Sequence, residues 1–150
     1  MKGFTLIEIV IVISILGLLA TFGFLSLSSS QDSLNVNRSI EDVRSLLLDA
    51  RTRTLSGEGG DRYGVHFELD TVRLFKGSTY DPLLPPEKEI ILPPRVTISV
   101  IALSGGGSEV LFKKLTGETD QGGTVTIQST GSTPRTRVLE INTTGSVRVE

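Results

Sequence analysis

The sequence predicts an α+β protein, with a long amino-terminal helix packed against a mainly antiparallel, β-rich head. Three observations lead there. Residues 4–27 are an almost unbroken run of Ile, Leu, Val and Phe. Val36, Ile40, Val43, Leu47 and Ala50 then recur at spacings of three and four, the period of a helix with one buried face. Beyond residue 57 the pattern changes to short alternating runs separated by Gly, Pro and Asn, the mark of strands and tight turns. Four segments follow: residues 1–3, a largely apolar helix over 4–27, its amphipathic continuation over 28–56, and the head over 57–150.

Bulk composition bounds the rest. With 150 residues, one apolar segment and one domain of roughly 100 residues are available, enough for a modest core. A net charge of −2 with mixed signs gives no general argument for nucleic acid or an anionic surface, although local clusters can still matter. No cysteine is present, so neither disulfides nor thiolate metal sites can hold the chain together. Packing alone must do so.

The apolar run is long enough to cross a hydrocarbon layer of roughly 30 Å as a helix, yet it contains Glu8. A carboxylate near the centre of a lipid-embedded helix costs roughly 2.5–3.5 kcal/mol on insertion scales. A secretory signal peptide is the simpler alternative, with Lys2 as its basic region and Ser26-Leu27-Ser28 as a cleavage site, but such peptides use an apolar stretch of only about 7–15 residues. A plain single-span anchor is the stronger competitor. Lys2 would place the amino terminus in the cytoplasm and the rest of the chain outside. Gly17, Ala20 and Gly23 interrupt the aliphatic surface with small side chains of the kind that let helices approach.

Residues 28–33 are polar but contain neither Gly nor Pro, so the helix is expected to continue through them. It should end near Gly57, where Gly57-Glu58-Gly59-Gly60 offers a cap and a loop. One helix over 5–54 would measure about 75 Å at 1.5 Å per residue. Strands are expected over 63–69, 71–76, 89–92, Val96–Leu103, 109–115, 125–128, 137–141 and 146–149, with the first two forming a hairpin and Val96–Leu103 forming another with 109–115 across Gly105-Gly106-Gly107. Prolines 82, 85, 86, 93 and 94 make 78–95 largely irregular.

Lys2-Gly3-Phe4-Thr5-Leu6-Ile7-Glu8 resembles the prepilin signature of type IV pilins and type II secretion pseudopilins. The resemblance implies that a prepilin peptidase cuts after Gly3, removing a 1–3 leader, and that the new amino terminus at Phe4 is methylated. It also implies that Glu8 is an assembly residue, pairing with the free amino group of a neighbouring subunit's Phe4. Other pilin or pseudopilin subunits and an inner membrane assembly platform are then the partners, and a cell-surface or periplasmic filament is the destination. The lack of cysteine and of a proline in the apolar helix points to a minor subunit. The head resembles H-type pseudopilins and DNA-uptake minor pilins in Tyr63-Gly64-Val65, in Gly123-Thr124-Val125-Thr126-Ile127 and in Ile141-Asn142-Thr143-Thr144-Gly145-Ser146-Val147.

Little suggests catalysis. His66 is the only histidine and is expected on the solvent side of its strand, so a triad or histidine metal cluster lacks its parts. No cofactor is implied. Asp61, Glu68, Asp70 and Asp81 could bind calcium only if turns gathered them, and their spacing fits no EF-hand. Pro134-Arg135-Thr136-Arg137, with Arg148, Lys113 and Lys114 as neighbours, has two readings. It is a charge-protected strand edge, or it is similar to the Gly-Arg-x-Arg motif of DNA-uptake minor pilins and contacts DNA through Arg135, Arg137 and Arg148. Three functions therefore remain open: a filament subunit that is not an enzyme, a DNA-contacting minor pilin, and an unprocessed single-span membrane protein.

Overall fold

The structure, a computed structural model, describes residues 3–131 and 134–150, and the side chains among them except those of 20–30. Lys2, Ala20 and Gly23 lie outside the described side chains. The chain divides into two compact units, Met1–Gln31 and Asp32–Glu150. Helix α1 spans Leu6–Ser56.

In the first unit the Thr5 carbonyl starts the helix, accepting from the amides of Glu8 at 3.1 Å and Ile9 at 3.3 Å. Every large apolar side chain from Leu6 to Leu19 is exposed, so this stretch is a helix held by its own backbone. Among the described residues no helix is long and apolar enough to cross a membrane. The 4–27 run extends into residues whose side chains are not described.

In the second unit α1 supplies Val36, Ile40, Val43, Leu46, Leu47 and Ala50 to the core, each at most 1% exposed. The spacing identifies five of these; Leu46 adds a second apolar column beside Leu47 and Val43 and widens the buried stripe. At the edge of that stripe Arg53 hydrogen-bonds to Asp49 at 2.9 Å, and that bond raises its guanidinium above the ordinary arginine range. The helix ends at Gly57 in the left-handed region (φ 68°), as its sequence leads one to expect, and a 3-10 turn over Glu58–Gly60 follows.

Eight strands build the head: β1 (Tyr63–Phe67), β2 (Thr71–Lys76), β3 (Lys88–Ile91), β4 (Val96–Leu103), β5 (Glu109–Leu111), β6 (Gly123–Ser129), β7 (Thr136–Ile141) and β8 (Val147–Val149). They form two four-stranded antiparallel sheets, ordered β3-β2-β1-β5 and β4-β6-β7-β8. The architecture is the expected α+β arrangement. Val65, Phe67, Leu74 and Val110 of the first sheet, and Phe112 just beyond β5, share one core with Ile98, Val125, Ile127, Leu139 and Ile141 of the second and with the helix stripe.

One expected pairing is wrong. Val96–Leu103 does not form a hairpin with the segment after the glycines: β4 pairs with β6, and β5 leaves for the other sheet to pair with β1. Strand length decides this. β5 has three residues and could satisfy only part of an eight-residue β4, whereas β6 matches β4 from Val96↔Ser129 to Leu103↔Gly123. Gly64 admits β5 on the other side, since a Cβ there would lie 2.9 Å from the Val110 carbonyl and 2.5 Å from the Phe75 ring.

Thr54 shows how the helix end is stitched to β1. Its buried hydroxyl donates to the Ala50 carbonyl at 2.8 Å and accepts from the Tyr63 amide at 2.9 Å. Thr54→Val keeps the shape but orphans the Tyr63 N–H, so it should destabilise the head by about 1–3 kcal/mol. Denaturant unfolding checks this; an unchanged midpoint would show that another acceptor takes over.

Candidate functional site

Gly3, Phe4 and Thr5 precede the helix in no regular element. A Cβ at Gly3 would meet nothing within 4 Å, and Phe4 is 80% exposed. The Gly3–Phe4 bond therefore lies on an open, non-helical approach, a geometry in which a peptidase can engage backbone on both sides. Glu8 is exposed in the first turn of α1, where the helix dipole favours a carboxylate, one turn after Phe4.

The arginines are divided. Arg135 and Arg137 line a cleft of about 290 Å³ with Ser33, Val36, Asn37 and Thr136. Arg137 donates through Nε to Asn37 Oδ1 at 3.0 Å, which ties β7 to the helix. Arg148 pairs in register with Glu140, whose neighbours Leu139 and Ile141 point into the core. Strand alternation therefore puts Arg148 on the outer face, away from that cleft. Lys113 and Lys114 are not neighbours either. Lys113 is bound to Asp120 at 2.5 Å and Lys114 to the Gly60 carbonyl, at the end of the head where Gly117 meets Arg51, about four helical turns beyond Asn37. A three-arginine DNA surface is thus not assembled.

His66 lies on the side opposite Val65 and Phe67, as expected, but it is covered. Tyr80 stacks on its ring at 4.0 Å and 15°, and the carboxylates of Glu68 and Glu109 stand 3.7 Å from Nε2 and 3.6 Å from Nδ1. Register puts Glu89, Arg73, His66 and Glu109 in one row across β3, β2, β1 and β5. Arg73 bonds to Glu89 at 2.7 Å, and this bond raises its guanidinium above the ordinary range; it also holds Glu68 and the Tyr80 hydroxyl. The row clamps loop 78–87 onto the sheet. A hollow of about 650 Å³ beneath that loop, lined by Glu68, Arg73, Tyr80 and Glu89 together with the prolines, has its charges already paired.

The four loop carboxylates do not converge. Asp61 meets Lys76, Glu68 meets Arg73, Asp70 accepts from the Thr71 hydroxyl and Asp81 accepts from the Leu83 amide. Among the described residues no group of three or more His, Asp or Glu could hold a metal ion.

Comparison with known proteins places both halves. Residues 1–24 match the prokaryotic N-terminal methylation motif. The fold matches two crystal structures of the type IV minor pilin FimU from Pseudomonas aeruginosa (strain PAO1), each at 16% identity. In space group P65 the match covers 76% of this chain and 91% of that one with a TM-score of 0.57. In space group P21 it covers 77% and 87% with a TM-score of 0.59. The fold is type IV pilin-like. A search of curated protein sequences finds no match, and at this identity the likeness to FimU is one of fold.

For a pilin-like chain, the feature that sequence reasoning missed is the clamp on loop 78–87. Arg73, Glu89 and Glu109 read as ordinary strand charges; only the register aligns them under Tyr80. Even spacing along β1 and β2 was the available signal, but β3 and β5 were needed to complete the row.

Proposed function

We propose that this chain is a structural, non-catalytic subunit, a minor pilin or pseudopilin, of a type IV pilus or type II secretion pseudopilus. A prepilin peptidase cuts after Gly3, Phe4 becomes the methylated amino terminus, and the apolar run over 4–27 serves first as an inner membrane anchor and then as filament core. The head stands outside the inner membrane. Assembly through an inner membrane platform packs the helices of neighbouring subunits, and Glu8 pairs with a neighbour's Phe4 amino group, relieving a carboxylate that lipid leaves unpaired. The observation that carries this reading is the methylation motif at residues 1–24 joined to a minor-pilin fold. The uniformly exposed apolar side chains of 4–19 support it, because a helix with no apolar partner of its own needs one from lipid or from other subunits.

Mass spectrometry of the native amino terminus tests it. A chain beginning at methylated Phe4 is the expected product. An intact Met1 in cells that carry an active prepilin peptidase would leave a single-span membrane protein instead.

A further inference from the structure

We propose that the cleft between α1 and β7, formed by Ser33, Asn37, Arg135 and Arg137, binds a phosphate group, supplied by the headgroup of an anionic phospholipid. The assignment of a lipid source rests on the membrane-anchored reading above.

The cleft is a collection of donors. Asn37 spends its carbonyl oxygen on Arg137 Nε, which leaves the terminal guanidinium nitrogens of Arg137 and the Asn37 amide nitrogen without a protein partner among the described residues. The Arg135 guanidinium likewise has none among the described residues, and Ser33 and Thr136 complete the lining. Among the described residues no carboxylate lines the cleft. Asp32, one residue before Ser33, is buried and satisfied by Arg95 at 2.9 Å. Two other arginine forks in the head are occupied: Arg73 holds Glu68 and Glu89, and Arg53 holds Asp49. Two guanidinium forks beside neutral donors, with no acid among them, match an oxyanion in charge and in geometry. A volume of about 290 Å³ is at the small end for ligand pockets and suits a headgroup better than a large ligand.

Position selects the source. Ser33 and Asn37 follow the apolar run within a few residues, so in an anchored subunit the cleft lies near the surface where lipid phosphates are concentrated. A nucleic acid backbone would need a longer track of cations, and Arg148, which the sequence offers to extend one, is on the outer face with Glu140.

The test uses the full chain, purified in mild detergent and examined by native mass spectrometry with phosphatidylglycerol or phosphatidylcholine added. Wild type should retain phosphatidylglycerol preferentially. Arg135→Ala, Arg137→Ala should lose about 30-fold in that retention, the effect of two basic residues at a lipid surface. Arg135→Lys, Arg137→Lys should keep part of it, and Arg148→Ala should behave as wild type. Both arginines are exposed, and matching circular dichroism spectra would show that the variants fold. Equal retention in wild type and the double alanine variant would overturn the proposal. Stabilisation by inorganic phosphate without a lipid preference would overturn the lipid source. Retardation of DNA lost in the double variant, again without a lipid preference, would reassign the cleft to nucleic acid and overturn it too. An intact Met1 in the same spectra would sink the filament reading while leaving the retention result to stand on its own.

Discussion

Replacing Glu8 by alanine or valine should leave the chain in the membrane fraction and remove it from filaments. The substitution makes the segment more apolar, so anchoring improves by at most the roughly 2.5–3.5 kcal/mol that a carboxylate costs at a helix centre in lipid. The same substitution removes the reason to leave lipid, because no unpaired charge remains to be satisfied by a neighbour's Phe4 amino group. If pairing recovers most of that cost, the ratio of filament-bound to membrane-bound chain should fall by about two orders of magnitude. Quantitative immunoblotting of sheared filaments against membranes measures it. Wild-type incorporation of Glu8→Ala would remove Glu8 from the mechanism and leave helix packing alone to drive assembly.

The largest effect on the head should come from Gly145→Ala. Gly145 has φ 78°, and a Cβ there would lie 1.9 Å from the Gly117 carbonyl oxygen and 2.8 Å from Arg51 Nε. That carbonyl accepts from Arg51 Nε at 3.0 Å, and a terminal nitrogen of Arg51 reaches the Thr144 carbonyl at 3.5 Å. One methyl group therefore strikes the point where α1, the loop before β6 and the loop before β8 are held together. The left-handed backbone costs about 1–2 kcal/mol for alanine and the overlap about 1–3 kcal/mol, so a loss of roughly 2–5 kcal/mol is expected. Thermal unfolding should show the midpoint lowered by roughly 10 °C or more. Gly107→Ala, which meets nothing closer than 4.0 Å and has no positive φ, should change stability by no more than about 0.5 kcal/mol. Equal midpoints for the two variants would show that the Arg51 junction gives way without cost.

What could be read in advance depended on how local each signal was. Val36, Ile40, Val43, Leu47 and Ala50 announce their helix face because the period is written within a few turns, and Gly57 announces its end. The β1–β2 hairpin was equally legible, since its turn and both strands lie within 63–76. The partner of β5 was not, because pairing Val65 with Val110 depends on which long strand claims β4, a competition between segments far apart in the chain. The arginines repeat the lesson. Arg135 and Arg137 stay together because they share one strand parity, but the face taken by Arg148 depends on the β7–β8 register, which the turn at 142–145 sets. Gly3, Phe4 and Glu8 stood out early because their pattern occupies adjacent positions. The covering of His66 by Tyr80 did not, because it needs loop 78–87 folded back over the sheet.

The crossed order of the strands governs when the head can fold. The first sheet lacks its β5 edge until Glu109–Leu111 has been made, by which time β4, which belongs to the second sheet, already exists and has no partner of its own. β4 must wait for Gly123–Ser129, and that sheet closes only with Val147–Val149 at the carboxyl end. The first sheet can be finished only after residue 111 and the second only with the last strand, so a chain emerging amino terminus first would present its helix well before it presents a head. Truncation near the last strand would leave a mostly synthesised domain with an open edge at Leu139 and Ile141.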